Sequence, residues 1–266
     1  MTSDLGSARR PGGILAVVVG AASVAPFAYL AGLSIAGRWP WPGLWPDDLR
    51  FDRWRSLWAG GGALAEALST SLLVSVVVAA ASTAAGYVTA RAVAKHRRRA
   101  LLLSMAFLPF AVSPVVLGAC LLFFYLRVGL AATLHGLLLA HGIVAYGFAV
   151  VFFVPFWNAE KRALSELVAT LGGGAAQTFV RVLLPLSRGP LLVCFLQTFL
   201  LSWFQYGLTL LVGEGRYVTL PVLVYAYLNE ANPGYAATAA LLLALPAAAL
   251  AWVSRNLLKR DTRGAS

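Results

Sequence analysis

The sequence SLLVSVVVAAASTAAGYVTAR occupies residues 71–91 and carries no charged side chain before its final arginine. A helix needs roughly 20 mostly apolar residues to cross the hydrocarbon core of a bilayer. In the whole chain, hydrophobic residues make up 60% of the 266 positions and charged residues only 12%, which leaves little polar surface to cover a water-soluble particle. The stretch therefore predicts a membrane-spanning helix in an all-α membrane protein.

Other apolar stretches of similar length lie on both sides of this one. The six predicted spans lie near 13–36, 63–90, 101–126, 134–156, 190–212 and 235–254. The first follows Arg9 and Arg10, but its apolar stretch is too long for an ordinary signal peptide, so we expect a retained helix. Cys120 and Cys194 lie inside apolar stretches without paired spacing, so we expect packing roles for both.

The basic residues are unevenly divided between the two sides of a six-span chain. The side that holds both termini carries 15 of the 21 lysines and arginines: Arg9, Arg10, Arg91, Lys95, Arg97, Arg98, Arg99, Lys161, Arg162, Arg181, Arg188, Arg255, Lys259, Arg260 and Arg263. Cytoplasmic loops carry such an excess, so both termini are expected in the cytoplasm of a multi-pass protein of the cell inner (plasma) membrane. The net charge of +11 is then a topology signal, and no nucleic acid is expected as a partner.

This topology divides the chain into a cytoplasmic N-terminal tail (1–12), a six-helix transmembrane domain (13–254) and a basic cytoplasmic C-terminal tail (255–266). The longest outer segment, 37–62, holds five of the eight tryptophans: Trp39, Trp41, Trp45, Trp54 and Trp58. Indole rings prefer the headgroup layer, so this segment is expected to lie on the outer leaflet. Docking of an external partner is the alternative role.

Prolines lie within predicted spans, the third and the sixth among them. The third contains Pro109 and Pro114, followed by Gly118, and the sixth contains Pro246. A proline removes one backbone hydrogen bond from a helix. A membrane tolerates this loss only where neighbouring helices or water donate hydrogen bonds to the freed carbonyls. We expect kinked helices inside a bundle, where the kinks either shape a cavity or serve packing alone.

The sequence lacks the residues that ion-coupled transport, metal binding and catalysis by common motifs require. No acidic residue lies at the middle of a predicted span, where ion-coupled carriers need ionisable groups, and Glu66 comes nearest. His135 and His141 are six positions apart and face different sides of a helix, which makes a poor metal pair. The sequence has no HExxH, GxSxG or GxxxxGK[ST] motif. We therefore expect no catalytic, metal or cofactor site in this chain.

The segment 158–189, between the fourth and fifth spans, has a periodicity of its own. An apolar stripe recurs there at helical spacing and consists of Leu164, Leu167, Val168 and Leu171. Three glycines at 172–174 then suit a turn, and a second short segment, 175–184, runs into Pro185. The pattern predicts a helix and a glycine turn on the cytoplasmic face, either as a plain connector or as a protrusion that another protein grips.

The string ELVATLGGGAAQTFVRVLLP, residues 166–185, resembles the EAA loop of permeases of binding-protein-dependent ABC importers. That family pattern has a glutamate, small or apolar residues, a glycine six positions on, and an aliphatic run ending in Leu-Pro. The matching residues are Glu166, Gly172, Phe179, Val182, Leu184 and Pro185. Leu167 and Val168 depart from the Ala-Ala that the family most often has. The resemblance implies an ATPase-coupling loop that contains Glu166, Ala169, Gly172, Phe179, Leu184 and Pro185.

Other stretches extend the resemblance from about residue 60 to the end of the chain. Residues 71–91 close with Gly86, Tyr87, Ala90 and Arg91, similar to the small-Tyr-x-x-Ala-Arg ending of the family. LPFAVSPVVLG, at 108–118, looks like the third helix of the subgroup of polyamine, thiamine, ferric-iron and molybdate or sulfate permeases. Residues 200–228 are similar to the region of that subgroup in which Thr-Leu-Pro follows the fifth helix. The resemblance implies the type I ABC importer permease fold.

The resemblance also implies partners. ATP and Mg would be held by a separate cytoplasmic ABC ATPase dimer, a second permease subunit would be identical or homologous, and an extracytoplasmic binding protein would deliver the solute. The loop helix that ends at Gly172 would be the coupling helix, which transmits ATPase closure to the spans as rigid-body motion. A secondary transporter would need inverted sequence halves and mid-span ionisable residues, neither of which is apparent. A membrane scaffold without transport activity is the other alternative.

A set of one proline and five polar or aromatic residues in the third, fourth and fifth spans is expected to line the translocation pathway or else to pack the bundle. It consists of Pro114, His141, Ser202, Trp203, Gln205 and Tyr206. Subgroup members that carry cations often have an acidic residue near the place of Gln205. A neutral amide beside aromatic rings suits a polar or aromatic solute at least as well as a polyamine. The sequence does not name the solute beyond a small polar molecule.

Overall fold

A computed structural model describes residues 11–39, 43 and 45–264. The first ten residues of the expected N-terminal tail, and Trp41 in the tryptophan-rich segment, lie outside the described residues. The helices are α1 (Pro11–Ile35), α2 (Asp52–Trp58), α3 (Ala63–Lys95), α4 (Arg99–Ala111), α5 (Pro114–Val128), α6 (Leu134–Phe153), α7 (Ala159–Thr170), α8 (Ala175–Thr178), a π-helical turn (Phe179–Leu183), α9 (Leu184–Leu186), α10 (Arg188–Trp203), α11 (Gly207–Gly213), α12 (Leu220–Asn229) and α13 (Pro233–Gly264).

Four of the predicted spans are single helices that are long and apolar enough to cross a membrane. They are Val17–Ile35 within α1, Ala63–Lys95, Leu134–Phe153, and Pro233–Leu250 within α13. The described part of the chain has up to six crossings if each of two bent helix pairs counts as one: Arg99–Ala111 with Pro114–Val128, and Ala175–Leu186 with Arg188–Trp203. The predicted all-α, multi-span fold class is confirmed.

The third predicted span, 101–126, is not a single kinked helix. It consists of α4 and α5, which are bent by 99° relative to each other. Val112 and Ser113 between them have extended backbones, each with ψ of 136°. A proline disfavours helical geometry in the residue before it but fits the first turn of a helix, and Pro114 opens α5. The break is therefore larger than the kink that the prolines predict.

The fifth predicted span, 190–212, is wrong in its second half. The helix α10 ends at Trp203, and the chain resumes a helix only at Gly207, as α11. Hydropathy does not reveal this break because residues on both sides of it are apolar. The short apolar helix α12, which follows, has no counterpart among the predicted spans.

The helices α3, α6 and α10 pack together at the centre of the bundle. A side chain at Gly86 of α3 would collide with Ala149 of α6, so the two helices approach as closely as glycine permits. Between α3 and α10, the hydroxyls of Thr83 and Thr198 are 3.1 Å apart and both are buried. Small and hydroxyl-bearing residues of this kind allow close helix packing in membranes.

The segment that contains α2 is tied to the helices beside it. Arg53 donates hydrogen bonds to three carbonyls at the end of α1, those of Leu33, Ser34 and Ala36, at 3.3, 3.1 and 2.9 Å. Its guanidinium also lies 5.4 Å from the ring centroid of Tyr235 in α13. Arg53 therefore satisfies two carbonyls in the last turn of α1, which have no partners within the helix, and the carbonyl of Ala36 just after it.

Candidate functional site

The helix α7 forms the first half of the loop between α6 and α10. The side chain of Asn158 caps its first turn by accepting a hydrogen bond from the backbone N–H of Lys161, at 3.1 Å. Its apolar stripe is divided: Leu164 and Val168 are half-buried, whereas Leu167 is 56% and Leu171 is 80% exposed. The predicted amphipathic helix is present. The part of its apolar face formed by Leu167 and Leu171 is not buried by the described residues of the chain.

A glycine turn closes α7. The backbone N–H of Gly172 donates to the carbonyl of Ala169 at 3.0 Å, and that of Gly173 donates to the carbonyl of Val168 at 2.9 Å. This pair of bonds is the Schellman arrangement, in which the residue after the helix adopts the left-handed conformation. Gly172 has φ +83°, a conformation that residues with a β-carbon adopt only at a cost. The expected turn therefore lies at Gly172.

Gly173 is required for a different reason, which the sequence does not reveal. A β-carbon there would lie 2.9 Å from the carbonyl oxygen of Val168 and would also meet the Val168 side chain. At Gly174, by contrast, nothing lies within 4 Å of a built β-carbon and φ is −71°. The three consecutive glycines thus differ in their tolerance of substitution.

The second half of the loop returns to the bundle through α8 and a π-helical turn. The π-helical turn, Phe179–Leu183, comes directly before α9, which contains Pro185. A proline removes an N–H from the helical ladder, and π-turns occur where that ladder is interrupted. Leu183 is completely buried, whereas Leu184 and Pro185 are exposed. The buried anchor of this half is therefore a residue that the sequence analysis did not single out.

Tyr87, near the end of α3, holds both halves of the loop. Its hydroxyl lies 2.6 Å from Oγ of Ser187, the residue before α10, and the indole N–H of Trp157 donates to its backbone carbonyl at 3.1 Å. Its ring packs edge-on against Phe153 and in a tilted contact with Phe179, at centroid distances of 5.2 and 5.8 Å. Phe179 of the predicted loop set is thus part of an aromatic cluster that fixes the loop to α3.

Arg91 lies one turn further along α3 and contacts the same cluster. Its guanidinium is 5.5 Å from the ring centroid of Trp157 and 5.8 Å from that of Phe179. Arg91 and Tyr87 are family-like residues at the end of the second span, and neither was predicted to contact the loop. Their only signal was their place in the small-Tyr-x-x-Ala-Arg pattern.

Glu166 and Ala169 lie on the side of α7 that faces the end of α3. Both are exposed, and both line a cavity of about 180 Å³ together with Arg91 and Lys95. The structure therefore brings Glu166, Ala169 and Gly172 together on one helix and its closing turn. Phe179 instead lies behind them, against α3.

A second group of predicted residues meets inside the bundle. His141 of α6 is buried, with Nδ1 2.8 Å from Oγ of Ser202 and Nε2 2.9 Å from Oγ1 of Thr209. The Thr209 hydroxyl donates its one hydrogen to the carbonyl of Gln205 at 3.1 Å, so it accepts from His141. His141 therefore carries a hydrogen on Nε2, and its Nδ1 shares a hydrogen bond with the Ser202 hydroxyl. This network joins α6, α10 and α11.

The other predicted pathway residues lie around the break between α10 and α11. Trp203 turns away from His141 and donates from its indole N–H to the carbonyl of Leu243 in α13, at 2.8 Å. Gln205 is half-buried in the break, and the ring of Tyr206 lies 4.5 Å from that of Tyr225. Within the predicted set, His141 and Ser202 are joined through their side chains, and the backbone N–H of Gln205 donates to the carbonyl of Ser202 at 3.2 Å.

The breaks in the third and fifth predicted spans lie against each other. A β-carbon on Gly207, at the start of α11, would be 3.2 Å from the backbone nitrogen of Val115 and 3.4 Å from the carbonyl carbon of Pro114. A β-carbon on Gly118 of α5 would be 3.3 Å from the carbonyl oxygen of Gly207. Two glycines thus permit close contact between the first turns of α5 and α11.

Comparison with known proteins places this geometry in a family. Residues 82–263 match the model described as "Binding-protein-dependent transport system inner membrane component". The chain is 30% identical over 201 residues to the sulfate transport system permease protein CysW of Synechococcus elongatus, which covers 69% of this chain and 70% of that protein. It is 28% identical over 204 residues to the chloroplastic sulfate permease 2 of Chlamydomonas reinhardtii, covering 70% of this chain and 55% of that protein.

A third relative has a different named solute. The chain is 24% identical over 216 residues to the spermidine/putrescine transport system permease protein PotC of Escherichia coli K12, covering 80% of this chain and 81% of that protein. The family match spans the second half of α3, the loop of α7 and α8, and most of α13, so it confirms the resemblance inferred from residues 71–91 and 166–185. The chain belongs to the inner-membrane components of binding-protein-dependent transport systems and is a permease subunit of an ABC importer.

Proposed function

We propose that α7 is the element through which a separate cytoplasmic ATPase dimer drives this subunit. The observation that carries the proposal is the exposed apolar face of a helix with a fixed end: Leu167 and Leu171 are exposed, and the Gly172 turn follows at once. An amphipathic helix that docks in a groove buries such a face on binding. ATP and Mg would be held by the partner, as in the importers that the loop resembles.

The contacts behind α7 support its role in coupling. Tyr87 is hydrogen-bonded to Ser187 at the start of α10, and Trp157 before α7 is hydrogen-bonded to Tyr87. A displacement of α7 would therefore move the ends of α3 and α10 with it. Coupled rigid-body motion of packed helices is a common way for a remote event to open or close a site.

The pathway is proposed to run along the two broken spans, with a second permease subunit forming its other half. Non-helical backbone within a membrane is tolerated only where protein covers it or where it lines a water-filled cavity. The breaks at 112–113 and 204–206 are close to each other, and Gln205 and Tyr206 lie in the second one. Small rotations of α5 against α11 would change the exposure of these polar groups.

The proposed solute is a small polar molecule delivered by an extracytoplasmic binding protein. Sulfate is the first solute to test, because CysW and the chloroplastic permease are named as sulfate permeases. Spermidine, the solute in the name of PotC, is the second. The neutral Gln205, at a place where cation carriers of the subgroup often have an acid, counts against a polyamine. The binding protein would dock on the outer face, where 37–62 and 214–217 are the candidate segments.

Two measurements test this proposal. A reporter fused after Ser266 should be active only in the cytoplasm, and one inserted near Asp48 only outside, because 15 of the 21 basic residues lie on the side of the termini. Signals on the opposite sides would show that the topology is inverted. The helix α7 would then lie outside the cytoplasm, where it could not contact a cytoplasmic ATPase. In the second, the transporter is purified from its native membrane through a tag on this chain. ATP hydrolysis should accompany the complex and be lost when the ATPase is washed away.

A further inference from the structure

A basic cavity separates α7 from the end of α3. It has a volume of about 180 Å³ and is lined by Arg91 and Lys95 of α3, by Trp157, and by Lys161, Ser165 and Glu166 of α7. On each helix two of the polar residues are four positions apart, which places them on one face toward the gap. The two helices thus present cationic groups to each other across an open space.

The positive charge of this cavity is only partly balanced within the described part of the chain. Three cationic side chains line it against one carboxylate, that of Glu166. The described ion pairs join Arg50 to Asp48 and Lys161 to Glu160, and neither involves Arg91 or Lys95. Arg91 instead lies over aromatic rings, which hold its guanidinium at the edge of the cavity. An anion placed here would meet donors from both helices.

The size and place of the cavity restrict the chemistry of that anion. Sites that enclose a drug-sized ligand have volumes of about 300–1,000 Å³, so this cavity suits a single small group. Arginine and lysine together bind phosphate groups well, and basic pockets on the cytoplasmic side of membrane helices bind anionic lipid headgroups. Val88, one turn before Arg91 on α3, is 58% exposed and offers apolar surface on which an acyl chain can lie.

We propose that this cavity binds the phosphate group of an anionic phospholipid and that the lipid holds α7 against α3. The inference rests on the proposed cytoplasmic position and coupling role of α7. The phosphate would accept hydrogen bonds from Arg91 and Lys95 on one side and from Lys161 on the other. Anionic lipid would then stabilise the arrangement in which α7 moves together with the span.

The test measures lipid bound to the transporter purified through a tag on this chain. The complex is placed in nanodiscs of phosphatidylcholine with or without one part in five of phosphatidylglycerol, and retained lipid is counted by native mass spectrometry. The pocket variant carries Lys95→Gln and Lys161→Gln. The matched control carries Arg97→Gln and Arg98→Gln, which remove two charges from exposed positions of the adjoining loop outside the cavity.

Wild type and control are expected to retain phosphatidylglycerol, and the pocket variant to bind it about 30-fold more weakly. Each basic residue beside an anionic headgroup contributes about fivefold to binding, so two contribute roughly 30-fold. A charge-keeping pair, Lys95→Arg and Lys161→Arg, should restore binding, and equal melting temperatures of all variants would show that the effect is not unfolding.

Three results would overturn the proposal. The first is equal phosphatidylglycerol retention by the pocket variant and the control. The second is retention of inorganic phosphate, added at millimolar concentration, in place of the lipid, which would assign the cavity to a free anion. The third is loss of the ATPase from the pocket variant with lipid retention unchanged, which would assign the cavity to the ATPase contact. Lipid retention is measured without transport or hydrolysis, so its failure is distinct from failure of the proposed function.

Discussion

The hydroxyl of Tyr87 lies 2.6 Å from Oγ of Ser187, a residue 100 positions further along the chain, and both side chains are buried. The same tyrosine accepts a hydrogen bond at its backbone carbonyl from the indole of Trp157. One residue of α3 therefore contacts the chain just before α7 and just before α10. A force applied to the loop between these points reaches α3 through Tyr87.

Tyr87→Phe is expected to lower solute uptake per ATP hydrolysed without loss of the ATPase. The ring, its aromatic contacts and the Trp157 bond to the backbone carbonyl remain, and Ser187 can still donate to the carbonyl of Leu183 at 2.6 Å. Only the hydrogen bonds of the Tyr87 hydroxyl, to Ser187 and to the carbonyl of Leu183, are lost. A hydrogen bond of this kind contributes about 0.5–1.5 kcal/mol. Uptake and hydrolysis are measured in the same proteoliposomes. Tyr146→Phe is the control, because it removes a tyrosine hydroxyl bond to Thr89 at an exposed position. Equal coupling ratios in both variants would exclude a role for the tie.

Gly86→Ala is expected to destabilise the bundle by about 1–3 kcal/mol, since the new methyl group would overlap Ala149 of α6. The matched control is Gly142→Ala in α6, where nothing lies within 4 Å of the added carbon. The measurement is the thermal melting temperature of the detergent-purified protein. A melting temperature for Gly86→Ala equal to that of the control would mean that α3 and α6 are further apart than described.

His141→Leu is expected to cost about 1–3 kcal/mol of stability, because the buried hydroxyl of Ser202 loses its partner. Thr209 keeps its bond to the carbonyl of Gln205, so the loss is confined to one hydroxyl. His135→Leu at an exposed position of the same helix should be close to neutral. Denaturation followed by intrinsic fluorescence compares the two. Equal midpoints would show that the network does not stabilise the contact of α6 with α10 and α11.

The apolar stretches predicted where most spans lie but not whether each is continuous. Pro114 supplied a local reason for the break before α5, since a proline removes a donor and restrains the residue before it. The break at 204–206 had no comparable signal, because it depends on Gly207 meeting the backbone of Pro114 and Val115 in another helix. A hydropathy profile carries no information about contacts between distant segments of the chain.

In the loop, too, the turn set by neighbouring residues was predicted from the sequence, whereas contacts set by the folded chain were not. The end of the apolar stripe predicted a glycine turn at Gly172, and φ there is +83°. Gly173 is crowded by Val168, whereas Gly174 has open space around it. This difference arises from the folded backbone, so a run of three identical glycines in the sequence does not reveal it. The contact of Tyr87 with Ser187 joins residues about 100 positions apart, so no spacing rule predicts it.

The central claim is that an ATPase binds α7. It is tested by substitutions that alter α7 and leave the spans unchanged. Gly172→Val places a β-branched residue at positive φ, which costs on the order of 1 kcal/mol or more and displaces the end of α7. Glu166→Lys reverses the charge of an exposed residue of the same helix, which also lines the cavity between α7 and α3. Gly174→Val is the control, because it adds the same side chain two residues away, where φ is −71° and nothing lies within 4 Å.

The most direct measurement is the amount of ATPase that co-purifies with each tagged variant at equal membrane level, followed by uptake in the same strain. We expect Gly174→Val to retain the wild-type amount, and Gly172→Val and Glu166→Lys to lose most of it or to hydrolyse ATP without uptake. If both variants insert, retain the ATPase and transport at the rate of Gly174→Val, then α7 is only a connector between spans and the account of coupling is wrong.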